Sequence, residues 1–563
     1  MNSLDNDLIK SLNATPAGRG ELFLKHEIWE AAHFQAVKFA RPVDWGADPL
    51  NNRSWVFQLH RLAFFADLLA YDKEHGVSDG LELCLVILKD WWDKFQDPAH
   101  TPPMAWHDHG TALRALDVVA VRAALSKQRE KDHALLGEIL QAHALFLSKD
   151  TNYSKGTNHG LDQSITLYRL AAEAESAPWA EGLAHLAVDR IHHEIDTAFA
   201  PDGGHRENSV GYHQFGVSQL LKVRSLMAQY ADLDLPRIDK LEALIETATV
   251  VLTQMLGPDG KMPQIGDTVV QRLPNLFANT DLPDAYHNYL YALTAGRSGQ
   301  PPKRTSMILP HSGWISLRNH WKDKTAVHLM SRCGYASNYH RHDDDQTFVL
   351  KAHGQDWVVD GGLYQYTEQD PFRKYLRSYR AHSITAPTGE IPTRNLKDYD
   401  GGSRIDSWNE APGRSYVSTS SRIFPGHVSR RSFTFDVDAT TDVAELTLVD
   451  HVRPLDESAI KRRQRALDET GYCYTSRFMF PQDKTVDLSE ANDKVLVRGT
   501  GMVMQLEILG QVHGIFLNKG VEGPEPDGWR STTFATLEPA WALEIRHDTL
   551  DVAISYRISW QRG

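Results

Sequence analysis

Residues 294–306, TAGRSGQPPKRTS, decide how this chain is read, because the spacing of apolar residues differs on their two sides. The segment is rich in Gly, Pro and charge, so it reads as a linker. Before it, from about residue 54, apolar residues recur every three or four positions. SWVFQLHRLAFFADLLAYDKEH (54–75) carries them at Val56, Leu59, Leu62, Ala63, Ala66 and Leu69 behind a Ser54 cap, one face of a helix. LELCLVILKDWWDKF, GTALRALDVVAVRAALSKQ, HALLGEILQAHALFL and IDKLEALIETATVVLTQML repeat the pattern. After the linker the period falls to two. GWISLRNHW, AELTLVDHV, MVMQLEILG and DVAISYRISW read as strands, the last with Val552, Ile554, Tyr556, Ile558 and Trp560 on one face. The expectation is an α+β multidomain chain, with a helical domain over 1–300 and an antiparallel β-sandwich or stacked-sheet domain over 307–563. Bundle, solenoid and toroid all remain open for the helical half.

Early in the second half, residues 335–366, YASNYHRHDDDQTFVLKAHGQDWVVDGGLYQY, hold a dense set of proton-transferring and metal-binding side chains. QTFVL and DWVVD, joined by AHGQ with its Gly354, read as a hairpin. If the first strand starts before Gln346, alternation puts His340, His342 and Asp344 on one face and Arg341, Asp343 and Asp345 on the other. Asp360 closes the second strand, where the hairpin can return it beside His342. Together with His382 these are ligand types that zinc takes; the competing reading is a solvated face.

Composition bounds the partners. There are 60 Lys and Arg against 73 Asp and Glu, a formal charge of −13, which argues against nucleic acid or an anionic membrane as a bulk partner. An acidic substrate needs a local basic site. Three separated cysteines, Cys84, Cys333 and Cys473, suit reduced thiols and give no disulfide framework. The opening residues MNSLDNDLIKSLNATPAG lack a basic segment followed by an apolar run. The expected location is therefore cytoplasmic, or periplasmic or secreted if a signal segment has been removed.

Three places break the helical pattern with reactive side chains. WHDHGTALR (106–114) puts His107, Asp108 and His109 before a helix, where they can also cap it. TNHGLDQS (157–164) brings Asn158 and His159 into another helix, with capping again the plainer role. PDGGHRENSVGYHQF (201–215) is a Gly-rich loop with His205, Arg206, Glu207, Tyr212 and His213, either lining a site or solvated.

In this order the pieces resemble the heparinase II/III-like polysaccharide lyases, a superfamily that includes heparinase III and oligoalginate lyases. The resemblance rests on Asn158-His159, then Asp202-Gly203 through Glu207, Ser209 and Tyr212 as D-G-x-x-x-E-x-S-x-x-Y, then His340-x-His342-x-Asp344, Asp360-Gly361 and YRAHSIT ending at Thr385. It implies an incomplete (α/α) toroid before the antiparallel sheets. It also implies Asn158, His159, Tyr212 and His340 as catalytic residues, and a structural cation, zinc or another divalent metal, held by His342, Asp360 and His382. The chain departs from the family where A-H-N-T is usual and Ala381-His382-Ser383-Ile384-Thr385 stands. His107 and Glu207 are candidates to line the sugar, and Trp106, Tyr364 and Tyr366 to stack on it, with core packing the competing reading for the aromatics.

The reaction so implied is β-elimination beside a uronic acid. Asn158, helped by His159, would neutralise the uronate carboxylate as the enolate-like state forms. A tyrosine near pKa 10 is an acid by default and a histidine near 6.5 a base, so Tyr212 is expected as acid, and as base where both events share a face of the sugar, with His340 the base for the opposite epimer. The expected partner is an acidic polysaccharide or oligosaccharide of glycosaminoglycan type, with no nucleic acid and no membrane, and a homo-oligomer compatible with the sequence. The alternatives are an alginate lyase, a glycoside hydrolase using Asp108 and Glu207 as its carboxyl pair, and a non-catalytic glycan-binding protein.

Overall fold

The computed structural model describes the chain except residues 1–11, 14, 32–33, 40, 175–176, 278–283, 335–336, 395–401, 439 and 442. The reading of the opening residues as lacking a leader therefore lies mostly outside the described residues, as do Tyr335 and Ala336. The chain divides into two compact units, Met1–Thr197 with Lys222–Asp239, and Ala198–Leu221 with Lys240–Gly563. No helix among the described residues is long and apolar enough to cross a membrane.

In the first unit, helix Phe65–His75 packs on Asp108–Ala124, which packs on Asn158–Glu173. Helices Asp79–Phe95 and Glu130–Ser148 each lie against the helix before and the helix after. Alternate helices are thus neighbours, the winding of successive α-hairpins. The 54–75 stretch forms two helices, Arg53–His60 and Phe65–His75, where one was expected, because Leu62 sits in the left-handed region at φ 61°. The cap is Asn52, whose side chain accepts from the Ser54 and Trp55 amides at 2.9 and 3.3 Å. The break turns Phe65, Leu68 and Tyr71 inward, so the buried face is not the one the uninterrupted period predicts.

Among the described residues the second unit holds three antiparallel sheets of four or more strands, besides a two-stranded ribbon of Trp529–Arg530 with Glu538–Pro539. Ser306–Leu309, Trp314–Arg318, His328–Arg332, Phe348–Ala352 and Gln355–Val358 pair in chain order as a meander. Eight strands form the largest sheet, with Val552–Arg562 between Met502–Leu509 and Ala444–Pro454. Tyr474–Phe480 lies between Trp541–His547 and Thr385–Pro387 in a four-stranded sheet. One apolar core joins all three: Leu317, Leu350 and Trp357 from the meander, Phe433, Leu448 and Tyr556 from the large sheet, Phe478 and Leu543 from the third. Val552, Ile554, Tyr556 and Ile558 alternate inward as their spacing predicts. The run of successive helices ends at Leu293 and the meander begins at Ser306, so the 294–306 segment spans the change of structure.

The expected hairpin is present. Ala352 pairs with Gln355, and the two residues between them, His353 at φ 53° and Gly354 at φ 74°, have the paired positive φ of a type I′ turn, whose twist suits a hairpin. Helix Glu457–Thr470 was not legible: Ala459 and Arg463 are its buried residues, too few to show a period among so many charges.

Candidate active site and cation site

Segment 337–347 does not extend a strand. The strand begins only at Phe348, and His340 and Gln346 take left-handed φ of 54° and 72°. The two-face alternation expected for His340 to Asp345 is therefore corrected: irregular backbone aims these side chains individually. What fixes the segment is Asn208, whose amide donates to the Ser337 and Tyr339 carbonyls at 2.8 and 2.7 Å while its oxygen accepts from buried Arg332.

Asn208 belongs to the loop that also carries Glu207; the expected loop stops at Ser209, and Tyr212 and His213 stand in the first turn of helix Val210–Gln229. The loop is anchored at Asp202, which accepts from the His311 and Ser312 amides at 2.8 and 3.0 Å, and at Ser209, whose hydroxyl donates to the Asp267 carbonyl at 2.9 Å. His205 accepts from the Glu207 amide at 3.2 Å, and burial holds it neutral, lowering its pKa to about 3.

His340 lies where these pieces meet. Its ring stacks on Tyr212, centroids 3.5 Å apart and planes 15° from parallel. Nε2 is 3.7 Å from the Glu207 carboxylate, and Nδ1 is 3.2 Å from Oδ2 of Asp267. The Tyr212 hydroxyl is 3.3 Å from that of Tyr366, whose ring is 50% exposed. Burial, reinforced by Tyr366, Asp267 and Glu207, pushes the Tyr212 phenol well above its ordinary value, so it keeps its proton.

Asp267 was missed by the sequence reading. It is 4% exposed, and its Oδ1 meets His342 Nε2 at 2.8 Å while Arg373 donates to both oxygens at 2.6 and 3.1 Å. Despite burial, the bonds from His340, His342 and Arg373 hold its carboxyl well below the usual range. Arg373 owes its place to helix Pro371–Arg377, capped by Asp370, which accepts from the Phe372 and Arg373 amides. Asp267 follows Gly266, at φ 61°, where a Cβ would stand 2.2 Å from the Asn208 carbonyl oxygen, so only glycine fits.

Beyond Asp267 lies a buried cluster. His342, Asp344 and His382 each offer an atom within 4.8 Å of the others. His342 Nδ1, His382 Nε2 and both Asp344 carboxylate oxygens are buried and make no hydrogen bond among the described residues. Two imidazole lone pairs and a carboxylate converging without donors are a donor set that suits a divalent cation such as zinc. Asp360, expected as a ligand, stands behind His382 instead: its Oδ2 meets His382 Nδ1 at 2.8 Å and takes the Thr347 hydroxyl at 3.3 Å, and Oδ1 accepts from the Gly362 amide at 3.2 Å. Asp344 joins His342 and His382 in the triplet.

In the first unit, Thr157 caps helix Asn158–Glu173, its hydroxyl accepting from the Gly160 amide at 3.2 Å. The Asn158 side chain is left without a hydrogen bond among the described residues. His159 stacks on His109 at 4.2 Å, and its Nδ1 is 3.5 Å from Asp108. Asp108 also meets His107 at 2.8 Å and accepts from Ser154; against the effect of burial these partners hold its carboxyl far below the usual range.

Two family models match the chain, the heparinase II/III N-terminus over residues 3–283 and the heparinase II/III-like C-terminal model over residues 301–556. The chain belongs to the heparinase II/III-like family. Among curated proteins it is similar to a heparin-sulfate lyase of Pedobacter heparinus, 22% identical over 382 residues, a match spanning 64% of this chain and 56% of that relative, little more than half its length. Among solved structures it is similar to a heparinase III (TM-score 0.75, 15% identity, covering 97% of this chain and 85% of the other) and to a mutant heparan sulfate lyase from Pedobacter heparinus (TM-score 0.70, 16% identity, 100% and 84%). At these identities the likeness concerns the fold.

In this heparinase II/III-like chain, Glu207, Tyr212, His340 and Tyr366 come together in the second unit, with His342, Asp360 and His382 close behind. Asn158, His159 and His107 cluster in the first unit. Trp106 is corrected: it is 7% exposed, its indole N–H donates to the Phe95 carbonyl at 2.6 Å, and its ring packs on His143 and Phe146. It is core and offers no face to a sugar. Trp106→Phe, which removes that hydrogen bond and some volume, is expected to cost about 1–2 kcal/mol in denaturant unfolding and to leave KM unchanged. A raised KM at unchanged stability would restore the sugar-stacking role.

Proposed function

We propose that the chain is a polysaccharide lyase acting on a uronate-containing glycan of glycosaminoglycan type by β-elimination. The observation that carries this reading is the stacked Tyr212–His340 pair, a protonated phenol against an imidazole anchored through Nδ1. The elimination needs a base for the proton on carbon 5, a donor for the oxygen leaving carbon 4, and neutralisation of the carboxylate; a double bond forms between carbons 4 and 5 and no water is consumed.

Tyr212 serves as the acid, its proton retained by burial, and the same raised pKa disfavours the base role expected for it where both events lie on one face of the sugar. His340 serves as base for the opposite epimer through Nε2, since an ionised Asp267 accepts only and therefore takes the proton of Nδ1. Glu207 lines this site. Asn158 and His159 offer donors of the kind a uronate carboxylate takes. A divalent cation at His342, Asp344 and His382, with Asp360 supporting His382, would supply a fixed positive charge that holds the buried segment in shape. The heparin-sulfate lyase relative supports the substrate class. In a hydrolase Asp108 is unsuited to be the acid, because a general acid needs a raised carboxyl pKa and the partners of Asp108 lower it.

The test is to incubate the protein with heparosan, heparan sulfate, hyaluronan, chondroitin and alginate and follow the ultraviolet absorbance of unsaturated uronate. Absorbance rising on a glycosaminoglycan supports the proposal, and absorbance on alginate alone replaces its substrate class. Reducing ends without that absorbance mean a hydrolase.

A further inference from the structure

Asp267 is placed to do more than neutralise its neighbours. Each of its oxygens takes one imidazole and one Arg373 nitrogen, so the carboxylate is filled symmetrically. The two imidazoles meet it through different nitrogens, His340 through Nδ1 and His342 through Nε2. A neutral imidazole carries one N–H and one lone pair, and an acceptor that takes the N–H decides which nitrogen keeps the lone pair. The same carboxylate therefore leaves the lone pair on Nε2 of His340, facing Glu207, and on Nδ1 of His342, the buried atom that makes no hydrogen bond and converges with Asp344 and His382.

We propose that Asp267 is a positioning residue that sets opposite tautomers in His340 and His342, and so couples the reacting imidazole to the cation site. Neither histidine has regular backbone to aim it, and Asp267 itself is held by the glycine before it and by the Ser209 hydroxyl on its carbonyl. An asparagine cannot replace it. Its single oxygen accepts from one imidazole only, and its NH2 group meets the other as a donor, so that ring must turn its lone pair inward. If His340 reverses, Nε2 is protonated and cannot act as a base; if His342 reverses, Nδ1 is protonated and cannot ligate.

The activity part of this inference rests on the lyase reading; the tautomers and the cation site do not. The direct test is the two-bond proton–nitrogen spectrum of protein carrying 15N-histidine, with the two signals assigned through His340→Gln and His342→Gln. The expected result is the proton on Nδ1 of His340 and on Nε2 of His342, and the same protonated nitrogen in both rings overturns the proposal. A second measurement compares Asp267→Asn with wild type for zinc affinity, kcat, KM and thermal midpoint. A folded variant should lose about 10- to 100-fold in zinc affinity or in kcat, with KM little changed, as outer-shell carboxylates generally do. Unchanged zinc binding and unchanged kcat overturn it. If Asp267→Asn fails to fold, the wild-type spectrum still decides. If the wild type cleaves none of the polymers, the lyase reading fails while the spectrum and the zinc titration still judge Asp267.

Discussion

Tyr212→Phe is expected to lower kcat on the responsive polymer by about 10²–10⁴-fold, the usual worth of a positioned proton donor, while KM moves little. The substitution removes one oxygen and leaves the ring, so the 3.5 Å stack with His340 persists and the imidazole keeps its place. Tyr366 loses a partner for its hydroxyl, but at 50% exposure it can turn to water, so stability should hold. The pH profile adds an independent check. An acid works while protonated, and burial pushes Tyr212 well above 10, so any alkaline loss of activity below that pH must come from another group and should survive in the residual activity of the variant. A raised KM with kcat intact would mean that the hydroxyl binds the sugar without giving a proton.

The change from helices to sheets was legible because it is a local property: each helix and strand carries its own period, and the 294–306 segment lies where the period changes. The Glu207, Ser209 and Tyr212 motif was legible for a similar reason, since it spans six residues, from the end of a loop into the first turn of helix Val210–Gln229. What the sequence hid depends on partners distant along the chain. Asp267 is a lone acidic residue after a glycine in PQIGDTVV, 73 positions before His340, and nothing in its surroundings marks it as the carboxylate between two histidines. The failed two-face alternation of His340 to Asp345 has a different cause. Alternation assumes a regular strand, and two left-handed residues, His340 and Gln346, remove that regularity. Trp106 misled because an aromatic beside histidines looks the same in sequence whether its face is open or closed.

Withdrawing the proposed cation should be a large loss of stability. A ligand that binds only the folded chain contributes about 4 kcal/mol at a concentration a thousandfold above its dissociation constant, and chelation removes it. Its removal leaves Asp344 buried without a hydrogen bond, and burial raises its carboxyl pKa. Two variants separate this from ordinary core damage. His382→Ala should cost about 3–5 kcal/mol with or without metal, since it breaks the buried pair with Asp360 as well as removing a ligand. Asp344→Asn should behave differently in the two states. With zinc it is less stable than wild type, having lost a charged ligand; after chelation it is at least as stable, because it no longer buries a carboxylate that makes no hydrogen bond. Calorimetric midpoints with and without chelator test the pattern. If Asp344→Asn is destabilised equally in both, Asp344 has a partner other than a cation and the assignment of His342, Asp344 and His382 as its ligands falls.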